Sequence, residues 1–415
     1  MRLGKYSFGT GDRFGHQGEA QLRAIMKANE MGIHLIPVWN KSFREHTIVH
    51  SQPQDVRKEA DEAVKNAGWK DEYYVDADHI NIKNVDLFLD CSNFFTIDVA
   101  DYIGRPAGKE ETEAFIERNS RYLGKLQIPG IDEAIELTED QLAAIASRYL
   151  YAVTEASRIY HHIAAKKGRD NFVAEISMDE VSEPQTPLDL FFILGALAAL
   201  QVEAQTIAPR FTGRFNKGVD YEGDVQRFTK EFEDDLLVID HAIREFGLPA
   251  NLKLSIHSGS DKFAIYPAIG RLIRKYDKGI HVKTAGTTWL EELIGLALSG
   301  KEGLHLACDI YEKALGRYDE MTGPYVNVLN IDRLQLPDPR EIRAWNSEKF
   351  ASALRHEATS SEYNPHFRQF MHVSYKIAAE AGSYFTDMLK KHAAVIAEQV
   401  TLNLFDRHIK RIFIC

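Results

Sequence analysis

Short apolar runs that end in polar clusters recur along this chain, with helix-patterned stretches between them, and no other feature limits its fold as much. The runs cover residues 6–9, 34–38, 73–75, 85–89, 172–176, 204–207, 252–256 and 280–282. Between them apolar residues repeat at helical spacing, as in Leu142, Ile145, Tyr149 and Ala152. That helix begins at a capping box, Thr138 to Gln141, and another opens at Thr186-Pro187. Strands that alternate with helices pair in parallel through crossovers. A chain of 415 residues is long for one core, and a (β/α)8 barrel with insertions accommodates that length. The chain is therefore expected to form an α/β, TIM-barrel-like (β/α)8 fold over residues 1–302, carrying the active site. From residue 303 to 415 the alternation fades. A mostly helical extension is expected there, completing or covering the barrel, with a polar loop near 360–364. The most apolar segment, 188–200, is too short to span a bilayer and predicts a buried helix.

A doubly wound open sheet would alternate in the same way, but no GxGxxG opens a helix and no Walker sequence is present. Gly9-Thr10-Gly11 runs into Asp12, whose charge would repel a pyrophosphate. A formal net charge of −11 disfavours nucleic acid as a partner. Cys91, Cys308 and Cys415 lie far apart without a CxxC pair, which argues against a disulfide framework and a structural zinc site. With a polar, Gly-rich start unlike a signal peptide, the expectation is a cytoplasmic protein without membrane contact.

In a barrel the residues just past each strand line the active site, so the polar clusters are sorted by what precedes them. After the first run, Arg13 offers a planar fork for a carboxylate, beside Asp12; a structural turn with an Asp12–Arg13 pair is the equal alternative. Asp76, Asp78 and His79 follow another run and suit proton transfer or metal binding, whereas an Asx turn with an exposed histidine is the plain reading. Asp98 is read as a helix cap. Glu175 closes an apolar run, where a carboxylate is costly unless paired or bound to a cation, and makes a candidate metal ligand or base. Lys217 sits in a Gly- and aromatic-rich loop suited to an anionic substrate, or in a basic surface loop. His257 ends a strand and is followed by Ser258-Gly259-Ser260, which can present backbone N–H groups, and by Asp261 and Lys262. His281 and Lys283 alternate onto one face ahead of Thr284. His372 is a fallback ligand, although a helix histidine is usually structural.

Together SFGTGDRFG, VDADHI, FFTIDVADYIG, PRFTGRFNKGVDYEGD, SIHSGSDKF and HVKTAGT resemble the tagaturonate/fructuronate epimerase family over essentially the whole chain. The resemblance implies interconversion of D-tagaturonate and D-fructuronate in bacterial hexuronate catabolism, and a divalent metal cofactor (Zn, Mn, Co, Ni or Fe). The strand-end residues then sort into metal ligands (Glu175, His257, His281), catalytic groups (Asp78, His79, Asp261) and substrate contacts (Asp12, Arg13, Lys217, Lys262, Lys283, Thr284). The inverted carbon lies β to the ketone, so its hydrogen is not acidified and one-base racemisation fails. Retro-aldol cleavage with re-closure is favoured over transient oxidation, since no dinucleotide motif is present. A metal-dependent hydrolase would more naturally carry an HxH pair on its first strand, and another sugar-acid isomerase or aldolase on the same barrel is the nearer alternative. A plain sugar-acid binder would have no use for Glu175 and Asp78. The oligomeric state is left open.

Overall fold

The computed structural model describes residues 1–284 and 287–414. Eight parallel strands form a closed barrel: β1 (Tyr6–Gly11), β2 (Leu35–Ser42), β3 (Tyr74–Ile80), β4 (Phe94–Asp98), β5 (Val173–Ser177), β6 (Thr206–Ala208), β7 (Lys253–Ile256) and β8 (Ile280–Lys283). Each strand pairs with its successor, and β8 returns to β1 in the register Tyr6 to Ile280 and Gly9 to Lys283. This is the expected (β/α)8 architecture. One strand is not where its apolar run suggested. Residues 85–89 form only a turn of 3-10 helix, because Val85 and Phe88 are buried while Leu87 is half exposed. The strand is Phe94–Asp98 instead, whose side chains are buried on both faces down to Ile97.

Alternation along the strands sorts the barrel into layers. Outward residues such as Phe8, Leu35, Trp39, Val75, Phe95, Ile176 and Leu254 join the core beneath the surrounding helices. Inward residues at the N-terminal end, Leu3, Ile36, Val38, Tyr74, Phe94 and Val173, make a separate apolar plug. Above the plug the inward positions turn polar: Ser7, Asp76, Thr96, Glu175, Ser255, His281 and Lys283 are all buried. A polar barrel interior that is costly to desolvate sits directly below the strand ends.

The capped helices form as expected. Thr138 and Thr186 each accept from the backbone N–H three residues on, and the apolar segment is the helix Pro187–Ala199. No described helix is long and apolar enough to cross a membrane. Cys91 and Cys308 are buried and free, and Cys415 lies outside the described residues. The C-terminal part is helical and packs on the barrel rather than standing apart. Helix Thr287–Leu298 is almost wholly buried between them, with Gly295 pressed against Ile396. The Thr401 hydroxyl donates to the Ala20 carbonyl, and the chain ends in a π-helix, Asn403–Ile414.

That buried helix carries Glu292 at 0% exposure. One of its oxygens accepts from Gln17 Nε2 at 3.2 Å, and the other has no partner among the described residues. Burial, reinforced by the nearby Asp12 charge, raises its carboxyl well above the usual range, so the folded state holds this proton. An unfolded carboxyl releases it near pH 4.5. Between that value and the folded pKa, folding therefore loses about 1.4 kcal/mol per pH unit at this site. Glu292→Gln removes that slope. Urea denaturation is expected to show the variant gaining stability over the parent at pH 8 and little or no gain at pH 4.5; equal differences at both would exclude a buried proton here.

Candidate active site

At the C-terminal ends of the strands lies a cleft of about 350 Å³ lined by Arg13, Asn40, Asp78, His79, Asp98, Asp179, Lys217, His257, Lys283 and His372, among others. It opens beside a wider chamber of about 620 Å³ that shares Arg44, Asp179, Lys217, His257 and Tyr325. The floor is built around Lys283. Its Nζ lies 2.8 Å from Asp76, 2.8 Å from Asp78 and 3.1 Å from Glu175, and donates to the Thr96 hydroxyl. Gly9 on the neighbouring strand leaves room for it: a Cβ there would come within 3.0 Å of Lys283 Cγ. Burial opposes the ammonium charge, but the three carboxylates outweigh it and raise Lys283 well above its ordinary value. Burial would also raise Asp78, yet Lys283 pulls it far below the carboxylate range. Asp76, deeper in the barrel, stays raised to about 6 by burial despite the same lysine.

Asp78 and His79 are adjacent, so a regular strand would point them to opposite faces. The ladder between β3 and β4 slips between Ala77 and Ile80, and His79 takes φ 52°. This bulge re-aims the imidazole into the cleft. Asp98 Oδ2 receives it at 3.2 Å from Nδ1, while Asp98 Oδ1 caps Ala100 N–H. The expected cap is thus also a cleft residue. Opposite stands His257, whose Nδ1 is 2.9 Å from Asp179 and Nε2 2.7 Å from Glu175. Burial disfavours a charged His257, but Asp179 and Glu175 raise it to about 9.

Donor atoms of His79, Asp179 and His257 all lie within 4.8 Å of one another, and His79 forms a second such group with Asp98 and Glu180. Two imidazoles and a carboxylate suit a divalent first-row metal, and donors around a bound cation sit roughly 3–4 Å apart for bonds near 2.1 Å. The residues therefore fit the implied group after small side-chain adjustment. The membership differs from the expected ligand set. His281 lies in the buried layer, its Nδ1 2.9 Å from Ser7 Oγ and its ring against Phe94, and belongs to neither group. Burial lowers it to about 3. Glu175, at 0% exposure, touches His257 and Lys283 from below. Asp179, two residues past the end of the strand, stands in the candidate group with His79 and His257 instead.

Four other residues expected in the site do not line the cleft. Asp12 spends its carboxylate on the N–H groups of Phe14, Gly15, His16 and Gln17. Asp261 is buried against Arg368 Nη2 at 2.6 Å. Lys262 donates to the carbonyls of Asn216, Val219 and Ser260, and burial lowers it to about 8. Thr284 donates to the Gly9 carbonyl. The chain leaves the rim after His257 because Ser258 and Asp261 adopt φ 49° and 62°. Arg13 does reach the cleft, but its fork is taken by Glu45 at 3.1 Å and the His372 carbonyl at 2.8 Å. Lys217 and Arg44 remain as cleft cations with no ion pair among the described residues.

A family model described as tagaturonate epimerase (UxaE) matches residues 1–412. A tagaturonate/fructuronate epimerase of Thermotoga maritima is 31% identical over 349 residues, 81% of this chain and 68% of its own length. The glycerol-complexed crystal structure of fructuronate-tagaturonate epimerase UxaE from Cohnella laeviribosi superposes with a TM-score of 0.82 at 25% identity, covering 99% of this chain and 82% of that one. The native crystal structure of the same enzyme gives a TM-score of 0.80 at 25% identity.

Replacing Lys283 with Met would leave three carboxylates buried without their cation. The expected loss at pH 7 is about 3–5 kcal/mol by urea denaturation, shrinking toward pH 5 as the acids take up protons. Unchanged stability at pH 7 would mean the lysine does not hold the floor together.

Proposed function

The chain belongs to the tagaturonate epimerase family, a family of carbohydrate epimerases, and from that premise we propose that it interconverts D-tagaturonate and D-fructuronate with a divalent metal by retro-aldol cleavage and re-closure. The observation that carries this is the convergence of His79, Asp179 and His257 beside Asp78, in a cleft also lined by Lys217, which has no ion pair among the described residues. His79, His257 and Asp179 would hold the metal, with Asp98 orienting His79. A divalent cation bound there supplies Lewis acidity for a ketone oxygen.

The chain's own groups do the rest. Asp78 takes the proton of the β-hydroxyl. As the α–β carbon bond breaks, its electron pair passes into the ketone half as an enediolate, and the β-carbon becomes an aldehyde. Asp78 is a weak base while paired with Lys283. The lysine touches Asp76 and Glu175 equally well, so it stays neutralised while Asp78 is protonated. The substrate carboxylate stays with the aldehyde half. Lys217 and Arg44 hold that carboxylate, so the aldehyde can turn its other face without escaping. The carbon bond re-forms on that face, and Asp78 returns the proton.

Incubation with metal and D-tagaturonate is expected to yield D-fructuronate, and prior chelation to abolish turnover; folded, metal-loaded protein that makes none would defeat the substrate assignment. Substrate deuterated at the inverted carbon is expected to keep all its label with no large primary isotope effect. A large effect would favour transient oxidation instead. Asp78→Asn is expected to lower kcat by about 10²–10⁴-fold.

A further inference from the structure

Lys217 contributes its side chain to the cleft, while its peptide is fixed from every side. Its N–H donates to the Val328 carbonyl at 2.9 Å. Lys262 Nζ holds the carbonyls on either side of it, Asn216 at 2.9 Å and Val219 at 2.7 Å. Between these, the Gly218 carbonyl accepts from Arg368 Nε at 2.6 Å. Gly218 itself has φ 74°, and a Cβ there would lie 3.3 Å from His372 Nδ1.

Arg368 stands on the helix Pro365–Val373 of the C-terminal part and is fully buried. A guanidinium at 0% exposure is costly unless its donors are all used. Here each of its nitrogens has a partner at 2.6 Å: the Gly218 carbonyl, the Leu354 carbonyl and Asp261 Oδ2. The same short helix reaches two more parts of the rim. Gln369 receives and donates with the Asn330 backbone, at 2.9 and 3.0 Å, just past the segment that carries Tyr325. The His372 carbonyl accepts from Arg13. Asp261, in turn, donates its backbone N–H to His408 Nε2 of the terminal π-helix. One planar fork thus joins the loop after β6, the loop after β7 and the C-terminal helices at the point where Lys217 enters the cleft.

We propose that Arg368 is a positioning residue for sugar-acid recognition. Through the Gly218 peptide it fixes where the Lys217 ammonium meets the substrate carboxylate, with Asp261 and Lys262 as its supports. This rests on the assignment of Lys217 to the carboxylate made above. A lysine at position 368 keeps the charge opposite Asp261 but lacks the fork that serves three acceptors at once.

The test is a double-mutant cycle on the full chain, reading the Kd of D-tagaturonate by calorimetry alongside kcat and KM. Arg368→Lys and Lys217→Met are each expected to weaken binding about tenfold, and Lys217→Met to lower kcat as well, because the aldehyde half is no longer gripped. The double variant is expected to bind about as weakly as Lys217→Met alone, since one effect passes through the other. Binding of the uncharged ketohexose of the same configuration should be indifferent to Arg368→Lys, which a general loss of structure would not allow. Fully additive effects, or wild-type binding by Arg368→Lys, would overturn the proposal. Should Arg368→Lys not fold, Gly218→Ala displaces the same peptide without touching the Arg368–Asp261 pair; it is expected to weaken binding in the parent and to be silent beside Lys217→Met, and additivity there overturns the proposal equally. Wild-type protein that binds the sugar acid without epimerising it would fail the proposed reaction alone, whereas turnover with an additive cycle would fail Arg368 alone.

Discussion

A single ammonium group in the middle of the barrel makes the rest of the site possible. Asp76, Asp78 and Glu175 come from two strands and crowd one small volume, and three bare carboxylates cannot be buried together. Lys283 meets all three within 3.1 Å. The consequences run outward along two short paths. Through Asp78 the lysine fixes the acid beside His79. Through Glu175 it reaches the Nε2 side of His257, while Asp179 holds the Nδ1 side. Both imidazoles are thereby oriented from one cation in the floor of the cleft.

How far the sequence reaches follows from which signals are local. Alternating runs foretell a parallel barrel, because a period of two followed by a helical period is written in adjacent residues. The strand-end rule finds Arg13, Asp78, His79, Lys217, His257 and Lys283, all of which line the cleft. It fails where depth matters. His281 and Lys283 are two residues apart on one strand face, yet only Lys283 reaches the cleft while His281 lies a layer lower, against Phe94. Nothing in the string His-Val-Lys distinguishes a layer from a rim. Asp179 was invisible for another reason: its partner is His257, 78 residues away, so in sequence it looks like a solvated acid. Asp98 was legible as a cap, and its Oδ1 does accept from the Ala100 N–H, although the N-cap of the turn that follows is Val99. The second oxygen of Asp98 finds His79 only because a bulge turns that ring, and bulges leave no mark in composition.

The C-terminal part illustrates the same divide. Its helicity is legible, and its attachment to the rim is not. Arg368, Gln369 and His372 are spaced one and three residues apart on a nine-residue helix, which reads as an ordinary amphipathic turn. Their partners are Gly218, Asn330 and Arg13, contributed by three distant segments. Asp261 looked catalytic and Lys262 looked like a substrate contact because they are charged and follow a strand-end histidine. They are charged because a buried arginine and a knot of carbonyls require them.

Charge then explains the layout of the cleft as a whole. A chain with a formal net charge of −11 repels an anionic sugar on average, so recognition needs local cations that internal acids do not consume. Most of the nearby cations are consumed: Lys283 by three carboxylates, Arg13 by Glu45, Arg368 by Asp261 and Lys262 by carbonyls. Lys217 and Arg44 are left without an ion pair among the described residues, on the rim shared by the cleft and the wider chamber. A cleft that sets cations spared by internal acids beside carboxylates and imidazoles offers an anionic ligand two kinds of contact. In the cleave-and-rotate reaction proposed above, that combination would let charge grip the end that must stay put while the inverting carbon turns beside Asp78.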